Sequence, residues 1–114
     1  MNELLQELNR GGGWDWCIRS FDGYSLSLSA GCSLSHAQHK VSFHGVCYLA
    51  CPTEFSHPTF RLASVAERLS VSALVAVDED ETVVAIDADS SVGMDPLTFF
   101  IVAASATLAA VPEA

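Results

Sequence analysis

Basic residues are scarce in this 114-residue chain. Lysine occurs once, at Lys40, and Arg10, Arg19, Arg61 and Arg68 are scattered. A nucleic-acid binder needs a concentrated basic footprint to displace counterions from phosphates, so no nucleic-acid partner is expected. The 14 acidic residues bring the formal net charge to −9, which also disfavours an anionic membrane surface. Long apolar runs are missing as well. The uncharged stretch from Pro96 to Pro112 is too short and too rich in Ser, Thr and Ala for a spanning helix. Residues 1–8 have neither the basic region nor the apolar run of a secretory leader. The expectation is a soluble cytoplasmic protein with no membrane partner, in which Cys17, Cys32, Cys47 and Cys51 are reduced thiols.

Signatures of chemistry are also thin. Gly11-Gly12-Gly13 lacks the spacing and the following helix of a phosphate loop. Gly31-Cys32-Ser33-Leu34-Ser35 fails the nucleophile-elbow pattern, which needs a second glycine after the nucleophile. Asp87-Ala88-Asp89-Ser90-Ser91 opens like a calcium loop, but the turn glycine, Gly93, comes one place late and position twelve is Thr98, not glutamate. Cys32, His36, His39, His44, Cys47, Cys51 and His57 fall close together and are zinc-type ligands. Cys47 and Cys51, however, would stand about 13 Å apart on one extended strand, too far for one tetrahedron. Cys32, His36 and His39 remain the weak metal alternative; no cofactor is expected.

What is present is apolar material. Half of the residues are apolar and 17% are charged, enough for the core of one domain spanning 1–114. Leu4, Leu5 and Leu8 form one stripe of a short helix over 2–9. Tyr24, Leu26, Leu28 and Ala30 alternate with Ser25, Ser27 and Ser29, a strand with one buried and one serine-lined face. Asp22-Gly23 reads as a two-residue hairpin turn before it. That turn sets Phe21 opposite Tyr24, Arg19 opposite Leu26 and Cys17 opposite Leu28, which puts Arg19 awkwardly on the apolar face. A rim position for Arg19 or a longer loop would relieve this.

Val41 to Cys51 is rich in strand formers and closed by Pro52; Pro52 to Pro58 reads as a loop, and Thr59 to Leu62 as a short strand. Ser64 and Glu67 form a capping-box pattern for a helix reaching about Ser70. Ala73 to Val77 and Thr82 to Ala88 are apolar without alternation, as strands covered on both faces are, with Asp78-Glu79-Asp80-Glu81 as the acidic tip between them. Over 97–110 the strand formers Phe99 to Val102 compete with helix-favouring alanines, and the strand reading is preferred. The fold expected is α+β and β-rich: an antiparallel sheet, curled toward a barrel, with a short N-terminal helix and one short internal helix. Two short helices cover little of such a sheet, so either the sheet closes on itself or a second copy covers the rest, and a homodimer is the expectation.

Function divides into two classes. The first is a non-enzymatic acidic protein-interaction domain, of adaptor or immunity type. Its partner-binding residues would be Trp14 and Trp16, since such aromatics are enriched at interfaces, with Asp78, Glu79, Asp80 and Glu81. The alternative is a small-molecule or metal-binding domain, enzymatic or not, using the Cys/His segment 32–57.

Overall fold

The computed structural model describes residues 1–11, 15–30, 39–89 and 97–110. An eight-strand antiparallel sheet and two short helices make an α+β fold. In chain order the elements are α1 (Asn2–Gly11), β1 (Asp15–Phe21), β2 (Ser25–Ala30), β3 (His39–His44), β4 (Tyr48–Ala50) and β5 (Glu54–Leu62). They continue with α2 (Val65–Ser72), β6 (Thr82–Asp89), β7 (Leu97–Ala103) and β8 (Ser105–Ala110). The spatial order is β4-β7-β6-β5-β1-β2-β3-β8. Only Ala104 separates β7 from β8 in the chain, yet they stand second and eighth in that order. The sheet therefore curls strongly. Among the described residues no ladder joins β4 to β8, so the order keeps two ends and is not a closed barrel.

The curl is held at one crossing. The Ala104 amide donates to the His44 carbonyl at 2.9 Å, and the Cys47 amide to the Val102 carbonyl at 3.0 Å. Gly45 lies between them at φ +67, and a Cβ there would come within 2.9 Å of the Ala104 Cβ. A residue without a side chain is needed on both counts. This glycine splits the strand expected over 41–51 into β3 and β4.

The concave face holds the main core. Leu26, Leu28, Val41, Phe43, Val84, Ile86 and Ile101 are all buried there, and Leu5 and Leu8 of α1 pack onto them. Asn9 clasps α1 to the sheet: its amide donates to the Phe60 carbonyl at 2.7 Å and accepts from the Phe60 amide at 2.8 Å. The side chain thus stands in for a neighbouring strand on β5.

Leu26, Leu28 and Ala30 of the serine strand face inward as expected, but Tyr24, expected on the same buried face, lies in the turn and is 62% exposed, and Ser29, expected outward, is buried. The turn before this strand also differs from the expected one. Phe21 pairs with Leu26, so residues 22–25 make the turn, and the Asp22 carboxylate accepts from the Tyr24 and Ser25 amides at 2.8 and 2.7 Å. An Asx turn, with Gly23 at φ +91, replaces the two-residue turn. A bulge at Arg19, between Ile18 and Ser20, frees its side chain to reach the Ser29 hydroxyl at 2.6 Å on the outer face. The loop expected over 52–58 is also largely strand. Pro58, which has no N–H, is accommodated by an irregularity between Ser56 and Thr59.

The run 73–77 is not a strand. It follows α2 as turn and irregular chain, and the acidic residues 78–81 are not the tip of a hairpin. Val75 and Val77 join Val71 in covering Val83, Val102 and Phe100 on the outer face of β6 and β7. Over these two strands the helix and the run that follows it supply cover from within the chain. The segment 97–110 is strand throughout except at Ala104.

Candidate functional site

Four of the seven exposed large apolar side chains among the described residues lie in or beside α2. Val71 is the buried residue of this helix and faces the sheet. On its opposite side Val65 and Leu69, four residues apart, are 64% and 68% exposed; Leu74 is 72% and Leu62 41% exposed. Single exposed leucines are ordinary, but four large apolar side chains within 13 positions around one two-turn helix form a patch. Beside it lies an open groove of about 400 Å³. Leu62, Ala63 and Val83 supply apolar wall, and Arg68 and Glu81 supply charge.

The platform under this surface is rigid by construction. Ser64 caps α2, accepting from the Glu67 amide at 3.2 Å, while the Glu67 carboxylate accepts from the Ser64 amide at 2.8 Å. The Arg61 guanidinium on β5 meets Glu67 at 2.6 and 2.9 Å and Asp87 on β6 at 2.6 Å. Arg61, then the Ser64 amide, hold the Glu67 carboxyl down to about 2. Thr98 on β7 donates to Asp87 at 2.7 Å, so α2 is tied across three strands.

The acidic turn borders the groove. The Asp78 amide donates to the Glu81 carboxylate at 2.8 Å, and the Glu81 amide to the Asp78 carbonyl at 3.0 Å. The Asp78 amide, then the nearby Cys47 thiol, keep the Glu81 carboxyl below its usual range. Among the described residues none of the four carboxylates at 78–81 takes part in an ion pair.

The remaining expected site residues divide. Trp14, Cys32 and His36 lie outside the described residues, and of His39 only the backbone, in β3, is described. Trp16 is 1% exposed and meets Phe60 edge-on at 5.1 Å between ring centres; it is a core residue and offers no surface to a partner. Among the described residues no three His, Cys, Asp or Glu side chains converge as metal ligands. Asp87, first residue of the incomplete calcium pattern, is engaged by Arg61 and Thr98.

The thiols are quiet. Burial, then Glu81, pushes Cys47 up to about 11, and burial pushes Cys51 up to about 12, so both stay protonated near neutrality. Cys17 is disulfide-bonded, which corrects the expectation that all four cysteines are reduced; Cys47 and Cys51 are free.

A second polar feature escaped the sequence reading. On the outer face of β2, β3 and β8, His44 sits between the Ser25 hydroxyl at 3.3 Å and the Thr107 hydroxyl at 3.2 Å, and Ser27 meets Ser42 at 3.2 Å. Both ring nitrogens face hydroxyls, and among the described residues no carboxylate contacts the imidazole. His57, at φ +52, contacts Asp89 at 2.7 Å on the exposed end of β5. The sequence carries the helical spacing of Val65 and Leu69, but only the burial of Val71 shows that this stripe is the exposed one. No family model, curated protein or solved structure matches this chain.

Proposed function

We propose that this chain is a non-enzymatic protein-interaction domain that binds its partner through the α2 surface and the acidic turn 78–81. The observation that carries the reading is the exposure of Val65, Leu69, Leu74 and Leu62 beside a groove lined by both Arg68 and Glu81. Such patches, apolar and rimmed by polar groups, are the usual form of a protein docking surface. The quiet thiols and the hydroxyl-flanked His44 support an interaction role over a catalytic one.

Site-specific photocrosslinking tests the reading. A photoreactive side chain at position 69 should give one discrete adduct in native cells, and the same group at position 27, on the serine face, should not. Equal labelling from both positions, or none from 69, would count against it.

A further inference from the structure

The charges around the groove say what kind of segment fits it. Asp78, Glu79, Asp80 and Glu81 supply four carboxylates, of which Glu81 lines the groove, against Arg68 and the amino-terminal Met1 on its wall. Glu67, the nearest other acid on α2, is already neutralised by Arg61 at 2.6 Å. The turn is also set in advance of binding, because Asp78 and Glu81 bond to each other twice, amide to carboxylate and amide to carbonyl. Less ordering is then left to be done when a cation arrives.

A second copy of the chain is a poor occupant. A two-fold contact sets the same patch against itself, which brings two acidic turns together in chains of net charge −9. An acidic apolar segment meets the same repulsion. We propose that the α2 surface takes a basic amphipathic segment of a partner protein. Its apolar side chains lie against Leu62, Val65 and Leu69, and its Lys or Arg side chains lie on the turn 78–80. This rests on the interaction reading above and adds the chemistry of the partner.

Three synthetic amphipathic helical peptides of equal length and identical apolar residues test it, carrying Lys, Gln or Glu on the polar face. Affinities for the full chain are measured by calorimetry. The Lys peptide should bind at least about tenfold tighter than the Gln peptide at low salt, and the gap should narrow as salt screens the turn. The Glu peptide should bind weakest. Leu69→Ser should weaken the Lys and Gln peptides together by about fivefold or more. The triple change Asp78→Asn, Glu79→Gln, Asp80→Asn should remove the Lys preference and leave Gln-peptide binding intact. All substituted residues are exposed, and circular dichroism checks that each variant folds.

Equal affinity of the Lys and Gln peptides, with both weakened by Leu69→Ser, overturns the charge inference and leaves the docking surface standing. Binding indifferent to Leu69→Ser, or no binding by any peptide, overturns both. Self-association of the unmodified chain that Leu69→Ser abolishes would assign the surface to a second copy and overturn the basic partner.

Discussion

Two outward faces of the same sheet behave in opposite ways. On β6 and β7 the outward residues are Val83, Ala85, Phe100 and Val102, and α2 with the run 73–77 packs over them. On β2, β3 and β8 they are Ser25, Ser27, Ser42, His44, Ser105 and Thr107, joined by hydroxyl and imidazole contacts. Both faces turn away from the core, so backbone geometry does not separate them. The side chains at alternate positions do, and they also divide the charge. The strands Ser25–Ala30, His39–His44 and Ser105–Ala110 contain no acidic residue, while the turn 78–81 that follows the covering run carries four. The covered face became a platform, and the platform's own outer surface carries the apolar patch.

The strongest way to break the comparison is to place a carboxylate on each face. Val102→Asp, at a fully buried outward position, is expected to cost on the order of 4 kcal/mol or to prevent folding. Ser27→Asp on the polar face should cost under about 0.5 kcal/mol. Urea unfolding measures both, and equal costs would mean that the two faces are not distinct.

Next comes the main core against the cover. Leu26→Ala should cost about 2–5 kcal/mol, the range of buried leucine truncations. Val71→Ala, in the cover, should cost less, about 1.5–3 kcal/mol for a fully buried valine and toward the low end because one methyl group pair is lost. If Val71→Ala matched an exposed substitution, α2 would be a loosely held appendage.

Gly45→Ala probes the crossing that lets one sheet present both faces. Positive φ and the approach to Ala104 should together cost about 1–3 kcal/mol. A neutral outcome would show that the β3–β4 crossing relaxes freely.

The smallest effect concerns pH. Glu67 is held at about 2 against an ordinary 4.5, so its contribution is complete above pH 4.5 and is lost as pH falls toward 2. In Arg61→Gln, which removes the partner, that part of the acid sensitivity should shrink. An unchanged acid profile would mean that the Arg61–Glu67 contact adds nothing to the hold on α2.

How far these faces could be read in advance depended on what covers them. The alternation at 24–30 was legible because a bare outer face requires polar residues at every second place. The unbroken run Val83 to Ile86 was legible as doubly covered for the converse reason. The cover was not legible, because 73–77 has the same composition as the strand it lies on, and periodicity cannot tell a covered strand from its covering segment. Arg19 did signal a fault in the simple hairpin, and the fault was an Asx turn with a bulge, a choice of backbone hydrogen bonds that residue types alone do not determine. Of the candidate site, the acidic turn was visible as charge. The apolar patch was hidden because Val65 and Leu69 look like core residues of a short helix until the opposite stripe, at Val71, is known to be the buried one.

The interaction reading is tested most directly by the amide footprint of the Lys peptide in a two-dimensional nitrogen–proton NMR titration. Shifts should concentrate at residues 62–69, 74 and 78–83 and leave Ser25, Ser27, Ser42 and Thr107 unmoved. A footprint centred on the serine and histidine face, or spread evenly over both, would contradict it.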